Sequence, residues 1–491
     1  MHKASIFAAP QKDLIAGIVV FLVALPLCLG IAVACGVPPI SGLIAGAIGG
    51  LVVPLISRAP LSVSGPAAGL TSIVLLEVGR IGLNQFLAAV VFAGVIQFVF
   101  GAVRAGRFSA LVPSPVIKGM LAAIGITIVY KQLPVAFGFD GKVSEIPARM
   151  EMGSALLAAL SLFILYGWKH TPLAKFRFLS PALVVVVLTS VLAASGIGLF
   201  SVSDAGLVNV PLGGISGLLS ALPRPDFAGI SSADFWVAAA TVAVVASIET
   251  LLSIQAVDRL DPLRRHSPPD RELLAQGVAN TLSGLAGGLP VTSVIVRSGA
   301  NVAAGGVERL SALFHGVLLL TSVLVAGPLL NKIPLAGLAA VLIQVGLNLC
   351  RPSMFLGQFR LGISQLLPFL ATITAVLALD LLKGVIVGMI LGVVFVLQQN
   401  VRDAVVKDIL DDGVVRLKFR RDATFLTKPA LMSYLDELDD GARVVIDATG
   451  EFVDHDVKEA LATFLLDAPH RRLQVSVVGL DLAGVGAGGG H

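Results

Sequence analysis

Glu249 stands inside an apolar, helix-length run, Ala246-Ser247-Ile248-Glu249-Thr250-Leu251-Leu252-Ser253, with Ser253 one helical turn later. Ionisable groups at membrane depth are costly, so an acid retained there points to an ion pathway by default. Two functional roles are open. Ionised, Glu249 together with Ser253 offers oxygen ligands to Na⁺; protonated, it carries H⁺. The structural alternative is a glutamate hydrogen-bonded for packing alone. Two other stretches invite chemistry: Ser62-Val63-Ser64-Gly65-Pro66-Ala67-Ala68-Gly69-Leu70-Thr71 and Gly287-Gly288-Leu289-Pro290-Val291-Thr292-Ser293-Val294. Each places a polar, proline-bearing knot where an apolar span should begin. A helix starting after such a knot aims N–H groups and the positive end of its dipole at the break, which suits an anion. The candidate anion contacts are Pro66, Ala67, Ala68, Gly69 and Thr71 on one side, and Val291, Thr292, Ser293 and Val294 on the other. Ser64 is a candidate cap for a helix with Pro66 in its first turn, and Thr292 and Ser293 are candidate caps after Pro290. Arg297, about a turn into the second helix, either deepens the anion-attracting field or pairs with Glu249 as a structural ion bridge. One knot alone reads equally well as a kinked helix; two at matching places in a chain point to a transporter's binding site.

The elements that must position these groups are membrane helices. The chain has 491 residues, 56% hydrophobic and 13% charged, with a mean hydropathy of +0.92. Soluble domains carry about 25% charge. Apolar runs near span length recur between Asp13 and Asn400, giving a polytopic α-helical membrane protein. Helices are predicted near 13–35, 40–57, 66–79, 84–103, 110–131, 151–168 and 179–199, then near 232–257, 270–288, 294–304, 310–329, 334–349, 362–380 and 383–400. That makes about fourteen segments in two sets of about seven, the short broken one third in each. An odd number per set turns the second half upside down, a 7+7 inverted repeat. Placing the N-terminus inside gives the inner loops about twice the Lys and Arg of the outer ones, with both termini cytoplasmic. The run from Leu14 to Ala34 has no cleavage site after it and reads as the first span, not a signal peptide.

The expected divisions are 1–12, a cytoplasmic N-terminus; 13–200, a first transmembrane repeat; and 201–231, an extracytoplasmic linker rich in Gly, Ser and Pro. A second repeat follows over 232–400. From 401 to 482 the strand-like Val414–Phe419, helix 428–438, strand Arg443–Asp447, helix 457–466 and strand 473–478 form a βαβαβ pattern, a small cytoplasmic α/β domain. Residues 483–491 are a glycine-rich flexible tail.

Other residues read as structural. No nucleophile–base pair, metal-ligand spacing or phosphate loop is present, so no enzyme chemistry, cofactor or transition metal is expected. The net charge of +4 lies in short loops and calls for no nucleic acid. Cys28, Cys35 and Cys350 read as small buried hydrophobes. His315 and Gln97 read as satisfied packing groups, and Gly42 to Gly50 as close helix packing. Glu77 and Lys118 read as span-end residues that snorkel or pair with loops. Asp258, Asp261, Asp270 and Glu272, beside Arg259, Arg264, Arg265 and Arg271, read as a solvated loop cluster.

Several segments together resemble the SulP anion permeases, bacterial relatives of prestin and pendrin, over nearly the whole chain. These are Asp13-Leu14-Ile15-Ala16-Gly17, Leu25-Pro26, Gly36-Val37-Pro38-Pro39, Ser64-Gly65-Pro66-Ala67-Ala68, Arg271-Glu272-Leu273-Leu274-Ala275-Gln276-Gly277-Val278-Ala279-Asn280, Gly287-Gly288-Leu289-Pro290, Arg297-Ser298 and Asn301. The resemblance implies a core domain, the first four spans of each half, moving against a gate domain in the lipid membrane. It also implies a STAS-like C-terminal domain and a homodimer. In sodium-linked bicarbonate members an eighth-span acid helps bind Na⁺ with a hydroxyl residue one turn later; Glu249 and Ser253 match, with Glu in place of Asp leaving H⁺ coupling open. Phe21 and Leu25 of the first span are expected beside the anion. The chain departs from the family at Val296, where many animal members have Ser, and at Phe452-Val453-Asp454-His455-Asp456, which has no phosphorylatable Ser after Asp454.

The pattern is similar to the SulP subgroup found beside or fused to carbonic anhydrases, implying a functional link to that enzyme and favouring bicarbonate. The expected function is secondary transport of a small anion, bicarbonate ahead of sulfate, coupled to Na⁺ or H⁺, in the inner (plasma) membrane. Alternatives are a sulfate or dicarboxylate proton symporter, a nucleobase-type transporter on the same fold, and a membrane-anchored STAS sensor.

Overall fold

The computed structural model describes residues 9–107, 113–172, 180–210, 217, 220, 222–379, 381–402, 404–410 and 413–482. The first eight residues, the glycine-rich tail, Lys175, Arg177 and parts of the linker lie outside the described residues.

Fourteen principal helices match the fourteen sequence segments. They are α1 Pro10–Ala34, α2 Pro39–Ile56, α3 Thr71–Ile81, α4 Leu83–Ala102, α5 Ser114–Ala136, α6 Met152–Gly167 and α7 Pro181–Ala194; then α8 Ala233–Leu260, α9 Pro269–Leu285, α10 Ile295–Ala303, α11 Leu310–Val325, α12 Leu335–Leu349, α14 Ile363–Ala378 and α15 Leu381–Arg402. Among the described residues, eight helices are long and apolar enough to cross a membrane. Sequence reasoning missed α13, Pro352–Arg360, an amphipathic helix where a loop was expected. Its Arg351-Pro352 start gives a helix N-terminus.

The broken segments differ from expectation in one respect. Ser64–Pro66 and Val291–Ser293 are not helix caps but short strands, β1 and β2. They pair antiparallel with Ser64 opposite Ser293, Gly65 opposite Thr292 and Pro66 opposite Val291. Consequently α3 begins at Thr71, after a 3₁₀ turn at Ala68–Leu70, rather than near residue 66. A residue before proline is pushed out of the α region, so Gly65-Pro66 favours extended chain. Strand pairing also gives the broken backbone its hydrogen bonds at a depth where water cannot. Upstream of β2, α9 ends at Gly287 with φ +78°, and a side chain there would meet Pro223 O at 2.4 Å, so glycine is required twice over.

The glycine run of α2 does pack closely. A Cβ on Gly42 would sit 2.1 Å from Cys28 O of α1, one on Gly49 2.7 Å from Ser64 O of β1, and one on Gly50 2.6 Å from Gly316 Cα of α11. Bare backbone therefore lets α1, α11 and β1 converge on one helix.

The loop charges are only partly the solvated cluster expected: Arg259, Arg264 and Arg271 are exposed, but others are not. Asp261 and Glu272 are buried, and Arg265 pairs with Asp261 at 2.7 Å and Glu308 at 2.9 Å. Burial alone would raise the Asp261 carboxyl, but the Arg265 guanidinium and the Leu263 and Arg265 N–H groups outweigh it and hold it below the usual carboxylate range. Asp13 of α1, also buried, accepts from Val307 N at 2.7 Å and Glu308 N at 3.0 Å. Asp258 bonds Ser267, and Asp270 accepts from Gly106 N. At helix ends these carboxylates satisfy loop N–H groups that lack helical partners, so burial follows.

The chain divides into two compact units, Met1–Gly362 with Pro368–Gly388, and Ile363–Leu367 with Met389–His491. The second holds a four-stranded sheet in the order β3 Val405–Ile409, β4 Val415–Phe419, β5 Arg443–Asp447, β6 Gln474–Val478. The last three strands are parallel, joined by α16 Lys428–Asp436 and α17 His455–Asp467, as the βαβαβ pattern requires. The antiparallel β3 was not foreseen. Leu417, Phe419, Leu431, Val444, Ile446 and Leu461 form the core. The Arg416 guanidinium beside Asp447 holds that carboxyl down to about 2. Asp454, in the segment lacking the expected serine, caps α17 by accepting from Val457 N at 2.9 Å.

Candidate functional site

Every strand residue of the β1–β2 pair is buried, and each strand is laced to helices by side chains. Asn280 of α9 holds the peptide of Val291 from both sides, accepting from its N at 2.6 Å and donating to its O at 2.9 Å. The same amide nitrogen donates to Gln97 Oε1 of α4 at 2.6 Å, and Gln97 donates to Ser247 of α8 at 3.2 Å. Gln276 donates to Ser64 Oγ at 2.7 Å and to Glu272 at 2.9 Å. Ser293 N donates to Thr250 of α8 at 3.2 Å, and Ser293 and Ser62 share a hydroxyl bond of 2.7 Å. Ser298 and Asn301 of α10 bind Val63 N and Leu61 O. Buried polar groups engaged in this way favour one geometry, although Gln276 Oε1 and Asn301 Oδ1 have no protein partner.

The two helices that leave this pair, α3 and α10, have no side-chain cap. Their first turns therefore keep the donor character and positive dipole end expected of an anion site. Of the predicted contacts, Pro66, Ala67, Gly69, Thr71, Val291, Thr292 and Ser293 are buried at this junction, while Ala68 and Val294 are partly exposed. Thr71 also lies within hydrogen-bond reach of the Cys35 thiol. Phe21 and Leu25 are partly exposed on α1, the helix that contacts β1, α3 and α10. A cavity of about 670 Å³, lined in part by Val33, Gly36, Lys131, Gln132 and Arg149, reaches α3 at Leu75, one turn beyond Thr71.

Arg297 is the largest fully buried side chain. Its Nη2 donates to Pro66 O at 3.1 Å, tying α10 to β1. Nε and Nη1 have no protein partner, and Arg297 makes no ion pair with Glu249 or any other carboxylate among the described residues. A buried guanidinium without a counter-charge is costly, and an anion arriving nearby relieves that cost. Val296, by contrast, is half exposed.

Glu249 reaches the same junction from α8. Its carboxylate accepts from the Gly69 N–H and lies so close to Gly69 that a Cβ there would sit 2.4 Å from Oε1. Its Oε2 is buried without a partner, and Ser253 is buried one turn on. An orphaned carboxylate oxygen beside a buried hydroxyl fits a hard cation such as Na⁺, and the same oxygen can take a proton. Among the described residues no cluster of three or more His, Cys, Asp or Glu could hold a metal.

Sequence reasoning missed the supporting shell. Glu272, Gln276, Asn280 and Ser283 recur every three or four residues along α9, a buried polar stripe that signals a helix facing polar backbone. His315 was expected to be a satisfied packing group, but both its ring nitrogens are buried without a protein partner. Gln97 is satisfied as expected. Glu77 pairs with Arg80 at 2.9 Å.

Comparison with known proteins identifies the family. The profile of the Sulfate permease family matches residues 11–372. The putative sulfate transporter YvdB of Bacillus subtilis is 29% identical over 401 residues, covering 79% of this chain and 74% of its own length. The bicarbonate transporter BicA of Picosynechococcus is 26% identical over 431 residues, covering 83% of this chain and 74% of its own. The solved transmembrane domain of a cyanobacterial BicA superposes with a TM-score of 0.67 at 25% identity, covering 78% of this chain and 98% of that domain. The chain thus belongs to the sulfate permease family and is a multi-pass anion transporter, not an enzyme.

Proposed function

We propose that the protein is a secondary active transporter of bicarbonate, with sulfate the next candidate, driven by Na⁺ or H⁺. The observation that carries this is the convergence of the uncapped starts of α3 and α10 on the β1–β2 pair, with Arg297 buried there and unpaired with any carboxylate among the described residues. The anion binds between Pro66–Thr71 and Val291–Val294, beside Phe21 and Leu25, and is held mainly by backbone N–H groups and the two dipoles. Such a site selects charge and size.

Glu249, touching Gly69, holds the driving cation beside the anion with Ser253. Opposite charges in one site bind cooperatively, which couples their movement. The fourteen segments form the 7+7 inverted repeat, with termini in the cytoplasm of a cell whose inner membrane it spans. The core domain, carrying both broken helices and α8, rocks against the gate domain to alternate access. The C-terminal sheet unit is a STAS-type domain, and the protein works as a homodimer. Similarity to two proteins named as bicarbonate transporters supports that substrate, and similarity to proteins named as sulfate transporters supports the second. A carbonic anhydrase, supplying or consuming bicarbonate, is the natural functional partner.

Uptake of labelled bicarbonate, sulfate, fumarate and uracil into proteoliposomes, with Na⁺ and pH gradients imposed separately, tests this. Saturable bicarbonate uptake raised by one inward cation gradient is expected. Uptake of only sulfate, fumarate or uracil, or uptake indifferent to both gradients, overturns it.

A further inference from the structure

We propose that His315 is a positioning residue of the anion site: an acceptor that fixes the Arg297 guanidinium without cancelling its charge. This rests on the anion site described above. His315 lies on α11 beside Gly316, whose backbone touches Gly50 of α2, and one turn before Leu319, which touches Gly46. Gly46 also touches Cys28 of α1 and lies 3.8 Å, measured from a Cβ position, from Pro66 Cδ of β1. Arg297 Nη1 enters the same crevice, 2.0 Å from where a Cβ on Gly65 would stand. Gly46 Cα lies 3.4 Å from that same Cβ position, so the guanidinium sits beside the wall formed by Cys28 and by the α11 face that carries Leu319 and, one turn earlier, His315. Residues of α1, α2, α10, α11 and β1 thus converge around the Arg297 side chain.

The donors and acceptors there are complementary. Arg297 has N–H donors on Nε and Nη1 without protein partners, and His315 has two ring nitrogens without partners, all fully buried. Imidazole supplies an acceptor to match an arginine donor. Neither group bonds the other directly; a buried water between them would satisfy both, as such waters commonly do for buried polar groups. The choice of residue type is what matters for transport. Imidazole carries no negative charge in any protonation state. A carboxylate at this position would put a negative charge near the guanidinium and offset its field. An imidazole orients the arginine and leaves its charge to be felt across β1 by the anion. Cys28, a weak acceptor, lines the same wall without supplying charge.

Three variants of the full-length protein in proteoliposomes test this, with KM and Vmax for bicarbonate and sulfate and a thermal-melting profile for each. His315→Gln keeps a neutral acceptor and should hold KM within about threefold of the parent. His315→Leu removes the acceptor and should raise KM several-fold with Vmax changed less. His315→Glu should raise KM by roughly tenfold or more, because it removes binding that ground and transition states share. Equal KM in the parent, His315→Leu and His315→Glu would overturn the proposal. So would parallel loss in all three variants, His315→Gln included, together with lowered melting, since that marks a packing role. Absence of saturable anion uptake by the parent protein would instead overturn the transport assignment, and this inference with it.

Discussion

The carboxylate of Glu249 and the backbone of Gly69 occupy the same point: the Gly69 N–H donates to the carboxylate, and a Cβ on Gly69 would stand 2.4 Å from Oε1. An acid on α8 is thereby seated against the first broken helix, although the two lie far apart in the chain. Movement of either element at this contact therefore bears on the other.

Gly69→Ala should separate them. The added methyl must push the carboxylate away, and coupled uptake should fall by roughly tenfold, the factor that about 1.4 kcal/mol produces. Uptake with and without cation gradients checks this, and unchanged gradient dependence would argue against the contact's importance.

Glu249→Gln keeps the size and a hydrogen-bonding group but removes the charge and the titrating proton. Cation-driven uptake should disappear while the melting profile stays near the parent's. Retained gradient-driven uptake would exclude Glu249 as the coupling group.

Gly65→Ala tests the other charge. Its methyl would stand 2.0 Å from Arg297 Nη1 and must displace the guanidinium from Pro66 O. Apparent anion affinity should fall roughly tenfold or more, read as KM, with protein yield and melting recorded alongside. An unchanged KM would show that the guanidinium does not need this seat.

Asn280→Ala should act on stability. It removes both bonds to Val291 and the bond to Gln97, leaving buried partners unsatisfied. A loss of about 2–4 kcal/mol is expected, measured as a lowered melting temperature in detergent. A variant as stable as the parent would show that strand pairing alone holds β2.

Asp261 gives a pH dependence of defined sign. Its folded carboxyl is held below its unfolded value by Arg265 and loop N–H groups against the opposing effect of burial. The stabilisation is fully present above the unfolded value, about 3.9, and is lost as pH falls through the folded one. Asp261→Asn should therefore melt lower than the parent at neutral pH, with the gap closing below about pH 4. A gap independent of pH would contradict the charged interaction.

Much of this was legible in the chain. The predicted segments correspond to the fourteen principal helices among the described residues, and for eight of them span length and apolar composition, both local properties, were enough. Alternating Val444 and Ile446 revealed a strand for the same reason. The two proline knots and Glu249 were visible as breaks in apolar runs, and their residue types led to the proposal of an anion site with a cation beside it. The polar stripe on α9 was visible too, but without a partner to face it its purpose could not be assigned.

What the sequence determined by itself is that the chain breaks at residues 62–71 and 287–294 and carries an acid at 249 and an arginine at 297. Only the tertiary structure decided how those breaks are resolved. Local preference offered helix caps at Ser64, Thr292 and Ser293; the approach of two distant segments offered strand hydrogen bonds instead, and in a place without water the pairing that satisfies more backbone prevails. It likewise decided that Arg297 meets Pro66 O rather than Glu249, which leaves a guanidinium and a carboxyl group unpaired with each other at a single junction. Which charges meet depends on the packing of helices brought close by Gly42, Gly49 and Gly50, and no local pattern encodes that distance.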